Sequence, residues 1–181
     1  MPRPQFTLTS PLDEDLRFHA MEHSAELSKL GSTLLTLLSP RADLAPEDLL
    51  GQALTVTARL REGQRFFHGY VTRFGLVGQE GRYFKYQARL CPWPWFLTRT
   101  SDCRIFQDQS VPDIVKTVFQ DHAVADFEFR LTRPYRSRTY CVQYRETDLE
   151  FVARLLGDEG IYWHVEHAEG RHTLVLQDLQ S

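Results

Sequence analysis

Apolar and polar positions alternate with a period of two through much of the first half of the chain. Leu54, Val56, Ala58 and Leu60 alternate with Thr55, Thr57 and Arg59. Phe67, Gly69 and Val71 continue the pattern, and Phe84, Tyr86, Ala88 and Leu90 alternate with Tyr83, Lys85, Gln87 and Arg89. A period of two puts alternate side chains on opposite faces of a strand. Turn residues at Glu62-Gly63 and at Gln79-Glu80-Gly81 separate the runs, so they read as a three-stranded meander. Upstream, Leu8 to Phe18 reads as a strand, a turn around Pro11 and a second strand. Thr33 to Leu38 is a further strand closed by Ser39-Pro40, and Glu47 to Leu50 is a helical turn at most. His19 to Leu30 fits neither period cleanly. These strands predict an antiparallel β-barrel, or a sandwich, over residues 5–98.

The pattern changes after Cys91. Pro92 and Pro94 cannot donate ladder hydrogen bonds, so the sheet ends there, and Trp93, Trp95 and Phe96 are expected to cap the barrel end. Ser110 with Asp113 forms a helix-capping pair, and Val111, Ile114, Val115, Val118 and Phe119 fall on one helical face. Phe127, Phe129 and Leu131 suggest a strand, followed by a basic, proline-containing loop from Arg130 to Arg138. Tyr140 to His167 then reads as strand, capped helix, glycine stop and strand. Tyr140, Val142 and Tyr144 share one side of the first strand, with Cys141 and Gln143 on the other. Thr147-Asp148-Leu149-Glu150 is a capping box, and Asp148 and Glu150 place negative charge at the positive end of the helix dipole. Leu149, Val152, Leu155 and Leu156 lie on one helical face with Phe151 nearby, and the helix is expected to end between Gly157 and Gly160. Ile161, Trp163 and Val165 alternate with Tyr162, His164 and Glu166, and Thr173 to Gln177 closes a hairpin. The predicted fold class is therefore mainly β with α+β: an N-terminal antiparallel barrel, then a small two-helix α+β subdomain over residues 99–181.

The run from Gln143 to His167 resembles the signature region of VgrG proteins, the spike of the bacterial type VI secretion system. More distantly it is similar to the baseplate hub proteins of contractile phages. The residues that carry the resemblance are Tyr144, Glu146, Thr147 and Asp148 at the entry, Phe151, Arg154 and Leu155 in the helix, and Gly160, Ile161 and Tyr162 at the exit. The opening Phe18 to Ser39, the Phe67-His68-Gly69 strand and the Trp95-Phe96-Leu97 stretch also look like that family. The resemblance implies a homotrimer whose barrels form a pseudo-sixfold ring on a tube of Hcp protein. It implies effectors or adaptor proteins as further partners, no cofactor, and no covalent chemistry by hub residues. It also implies that a longer relative would continue into a second barrel, an OB-fold and a β-helical needle. A contractile-phage hub is the alternative within the same fold.

Composition adds boundaries. A chain of 181 residues can bury roughly 70% of its unfolded surface, enough for a core without staples. The formal net charge of -3 argues against bulk nucleic-acid binding. No apolar run approaches the length of a membrane helix, which gives no reason to expect stable membrane association. Cys91, Cys103 and Cys141 are odd in number and widely spaced, which disfavours a disulfide framework. The start, Met1-Pro2-Arg3-Pro4-Gln5, lacks the apolar core of a signal peptide. The expectation is a protein made in the cytoplasm and exported, through the type VI apparatus, by a route that needs no leader.

Candidate chemistry is sparse. His19-Ala20-Met21-Glu22-His23 matches a zinc-peptidase pattern in which His19 and His23 share a metal and Glu22 acts as general base, giving a metal-dependent hydrolase as the competing reading. Leu16, Phe18 and Ala20 have a period of two, however, and a strand points those histidines away from a common ion. His164, Glu166, His167 and His172 form a second cluster around the last hairpin, without an evident fourth ligand. Arg130, Arg133, Arg136 and Arg138 around Tyr135 are the one basic concentration: a solvated loop, an acidic partner's surface, or a nucleic-acid contact.

Overall fold

The computed structural model of the chain describes residues 5–178. Met1 to Pro4, on which the expectation of a start without a leader falls, and the expected limit of the second subdomain at residue 181 lie outside the described residues. Strands β1 (Gln5–Thr9), β2 (Arg17–Ser24), β3 (Ser32–Ser39), β4 (Ala53–Arg59), β5 (Gln64–Glu80) and β6 (Tyr83–Cys91) form one sheet in the order β1-β4-β5-β6-β3-β2. Each neighbouring pair is antiparallel. The meander read from alternation is β4-β5-β6. What alternation does not reveal is that β1 and β2, adjacent in sequence, end up at opposite edges.

The sheet curls into a half-barrel. Phe6 on β1 and Phe18 on β2 stack with ring centroids 4.8 Å apart, which draws the two edges together. Inside lie Leu35 and Leu37 of β3, Leu54 and Val56 of β4, Val71 of β5, and Tyr86, Ala88 and Leu90 of β6, all buried. Burying a side chain of the leucine or valine class stabilises by roughly 1.5–3 kcal/mol, so this alternating set supplies the main driving force for curling. The long strand β5 pairs with β4 through Tyr70 and with β6 from Tyr70 onward. Irregularities in its β6 pairing, between Val71 and Arg73 and between Leu76 and Gly78, let so long a strand bend.

After β6 a 3-10 helix spans Trp93–Thr98, followed by β7 (Ser101–Phe106), α1 (Val111–Gln120), β8 (Phe127–Arg130), β9 (Cys141–Thr147), α2 (Asp148–Asp158), β10 (Tyr162–Ala168) and β11 (Arg171–Gln177). Strands β7 and β9 pair antiparallel. A second small sheet has the order β10-β11-β8, with β8 and β11 parallel. Packing divides the residues into two units. The first takes the chain through Ala25, Leu30–Pro92 and Glu166–His172; the second takes Glu26–Lys29, Trp93–Val165 and the chain from Thr173.

Within the second unit the apolar face of α1, Val111, Ile114, Val115, Val118 and Phe119, is fully buried. Phe106 stacks on Phe151 of α2 at 5.6 Å. Trp93, expected to cap the barrel end, groups with this unit. Its ring meets Phe119 edge to face at 4.9 Å, and its Nε1 donates to the Asp126 carbonyl at 2.8 Å. A buried indole needs an acceptor for its N–H, and the backbone beyond α1 provides one. The two sides of β9 divide as the alternation predicts, and the structure decides which faces in: Cys141 and Gln143 are buried, while Tyr140 and Tyr144 are exposed. The polar Gln143 side faces inward because that side chain has hydrogen-bond partners there.

Gly31, just before β3, allows a close backbone approach: a Cβ there would lie 2.5 Å from the Ser24 carbonyl oxygen. Gly31→Ala therefore has to move backbone at the β2–β3 turn. We expect it to lower stability by roughly 1–3 kcal/mol, read as a reduced urea midpoint with an unchanged slope.

Candidate functional site

Helix α2 begins as the sequence demands. The Thr147 hydroxyl accepts from the Glu150 N–H at 3.2 Å, and the Glu150 carboxylate accepts from the Thr147 N–H at 2.8 Å. Those bonds from the backbone and hydroxyl of Thr147 hold the Glu150 carboxyl below its usual range. Asp148, the first residue of α2, does more than favour the helix dipole. It is 4% exposed, and both carboxylate oxygens are occupied. Oδ1 accepts from Arg104 Nη2 at 2.6 Å and from Gln143 Nε2 at 2.7 Å. Oδ2 accepts from Thr100 Oγ1 at 2.7 Å and meets His122 Nε2 at 3.3 Å. Burial pushes this carboxyl up, but the bonds from Gln143 and Thr100, the Arg104 charge and His122 outweigh it, so its pKa lies below the ordinary value of 3.8. An ionised carboxylate with its acceptor positions filled has no proton to give and no open lone pair. Its chemistry is to hold β7, β9, the end of α1 and the start of α2 together.

The remaining signature residues extend this clasp. Arg154 on α2 donates to Glu146 at 2.5 and 3.2 Å and to the Val142 carbonyl at 3.3 Å, tying the helix back to β9. Phe151, Leu155 and Ile161 are buried. Gly160 follows α2 with φ +66°, a left-handed conformation that favours glycine. Tyr144 points outward, 64% exposed, opposite Cys103 of β7, and Arg145 lies over its ring. Arg145 itself has φ +53° at the β7–β9 irregularity.

The zinc-peptidase pattern does not assemble. His19, Glu22 and His23 all lie on strand β2. His19 Nε2 is 3.8 Å from Glu80, whereas His23 Nδ1 is 2.8 Å from the Thr33 hydroxyl. Strand geometry sends the two rings to different neighbours, and among the described residues no group of three or more His, Cys, Asp or Glu is placed to hold a metal ion. The basic loop is folded onto its own unit. Arg133 donates to the Glu159 carbonyl beyond the end of α2. Arg138 pairs with Asp158 at 3.4 Å and Glu159 at 3.1 Å, and Arg130 with Glu128 at 2.7 Å. The C-terminal end of a helix is where cations are most favourable, and the loop keeps its solvated character at Arg133 and Arg136, both exposed.

The second histidine cluster is real but differently composed. His167 and His172 meet His68 of β5 and His23 of β2, two residues that sequence reading did not join to them. The His68 N–H donates to His167 Nδ1 at 3.1 Å, and His68 Nδ1 lies 2.6 Å from His172 Nδ1. His23 and His167 rings are 5.9 Å apart. Burial lowers all four pKa values, His167 to about 4 and His172 to about 3. These residues are distant in sequence, and only the curl of the sheet brings them together.

A curled antiparallel half-barrel joined in one chain to a clasped α+β unit is the architecture of a baseplate hub. The sequence profile of the phage tail baseplate hub (GPD) family matches residues 24–181. The chain belongs to that family, and over most of its length it is VgrG-like. It is 51% identical over 170 residues to the type VI secretion system spike protein VgrG1a of Pseudomonas aeruginosa, which covers 93% of this chain and 26% of the relative. It is 48% identical over 171 residues to VgrG1c of the same organism, covering 93% of this chain and 24% of the relative. In structure it is similar to the E. coli c3393 protein, described as a type VI secretion component resembling the T4 tail proteins gp27 and gp5. That match has a TM-score of 0.77 at 27% identity and covers 91% of this chain and 49% of the other. The chain thus spans about a quarter of the length of the curated relatives.

Two outcomes follow. Asp148→Ala leaves Arg104 and Gln143 without their central acceptor, and should cost about 3–5 kcal/mol in denaturant unfolding. Because the Asp148 pKa is depressed, its contribution is present above pH 3.8 and fades as pH falls below that value. Asp148→Asn should therefore flatten the acid limb of stability against pH. Separately, Cys103 is exposed while Cys91 and Cys141 are buried, with burial pushing the Cys91 thiol up. A thiol reagent at pH 7.5 should label the native protein once, at Cys103, and all three cysteines after unfolding.

Proposed function

We propose that this chain is the hub part of a type VI secretion puncturing spike: three copies cap the Hcp tube, and the assembly helps deliver effectors. The observation that carries this is the 51% identity to a spike protein sustained across 93% of the chain. The geometry supports a mechanical role. The half-barrel, whose strands run from Gln5 to Cys91, is the part we assign to the ring around the tube. In the α+β part the signature residues Tyr144 to Tyr162 act as a clasp rather than a chemical site. Exposed apolar side chains on the β7–β9 ribbon, Ile105 and Tyr144, with Tyr140 just before β9, form the kind of surface that an assembled particle covers. On this reading the protein leaves the producing cell through the type VI apparatus, with effectors or adaptor proteins as passengers.

The contractile-phage hub shares the same family profile. Sequence identity to spike proteins favours secretion. The decisive test is light scattering on the chain in its full natural polypeptide, with and without purified Hcp. We expect a mass of three chains that shifts further on binding an Hcp ring. A stable dimer is incompatible with capping a sixfold tube and would sink the proposal.

A further inference from the structure

We infer that His68, His167 and His172 form a proton-sensitive latch in the first unit, which holds the tip of the β10–β11 hairpin against β5 when neutral and releases it in acid. The geometry begins with a gap in the ladder. The last β5–β6 pair is Tyr70 with Cys91, and Pro92 follows. At His68, two residues before Tyr70, the β5–β6 ladder has already ended, and the His68 N–H is satisfied by an imidazole: it donates to His167 Nδ1 at 3.1 Å. This bond requires a lone pair on Nδ1, which puts the His167 proton on Nε2. Protonation of His167 adds a hydrogen at Nδ1 and turns the acceptor into a donor facing a donor. The bond is then lost.

The second contact works the same way. His68 Nδ1 and His172 Nδ1 are 2.6 Å apart, so one carries a hydrogen and the other a lone pair. One added proton on this pair is tolerated; two place two N–H groups against each other. The surroundings add to the repulsion. The titratable and charged groups around these rings are His23 of β2, Arg65 and Tyr70 of β5, and, adjoining in sequence on the hairpin, Glu166, Glu169 and Arg171. The Arg65 charge disfavours protonation of His23 and His167, and the histidines disfavour one another. The sign follows. These rings bind protons less readily when latched than when free, at 6.5. Latching is complete above pH 6.5 and weakens as pH falls below it, until the latched rings themselves titrate near 4 and 3.

The test is hydrogen exchange on the full chain, read at the His68 amide, which reports the bond directly. After correction for intrinsic rate, we expect its opening equilibrium to rise about 100-fold or more between pH 7 and 4.5, relative to core amides such as those of Leu35 and Val56. In the double variant His167→Gln and His172→Gln, whose side-chain amides accept hydrogen bonds but do not titrate, that pH dependence should shrink to within about threefold of the core. Three results would overturn the latch: no change at His68, a change shared equally by the core, or the same pH dependence in the variant. Should the variant not fold, ring-proton NMR of the wild type decides. Midpoints for His167 and His172 well below 6.5 support the latch, and midpoints near 6.5 refute it.

Discussion

The second unit depends on one buried carboxylate. Asp148 sits where a helix starts, a place that tolerates negative charge for free, and the fold uses that charge as a common acceptor for Arg104, Gln143, Thr100 and His122. Four donors on one residue are worth more than four separate surface pairs, because the site is desolvated and each partner is held by its own element. The same residue explains why β9 turns its polar side inward: Gln143 is buried because Asp148 needs its amide. A helix, two strands and the end of another helix are thereby fixed relative to one another without a disulfide or a metal among the described residues.

The first unit is held in a different way. Its half-barrel rests on alternating leucine, valine and aromatic side chains inside a curled sheet, with stacking between Phe6 and Phe18 at the edges. Where the ladder runs out beside β5, imidazoles rather than backbone finish the hydrogen bonding. That substitution makes a local part of the sheet responsive to protons, which backbone pairing is not. The latch gives the half-barrel one place where a change of pH registers.

Period-two and helical patterns were enough to read most elements. The β4-β5-β6 meander, the α1 face from Val111 to Phe119, the capping box at Thr147 and Glu150, and the glycine stop before Ile161 are local features: each depends on residues a few positions apart, and each appears as read. The signature block was equally legible because its spacing is itself local. What escaped is non-local. An aromatic such as Trp93 after a strand says only that it will be buried. The indole N–H found its acceptor at Asp126, 33 residues on, and that decided where.

The sequence by itself therefore determined most of the secondary structure, the class of fold and the family, because these are written in short-range periodicity and motif spacing. The tertiary structure alone decided partners. It separated His19 from His23, gathered His68 with His167 and His172 across about a hundred residues, spent the basic loop on the end of α2, and buried Asp148 under Arg104. Each of those outcomes depends on which strands become neighbours and which polar groups lose their water. Neither quantity is a property of any stretch of chain taken alone.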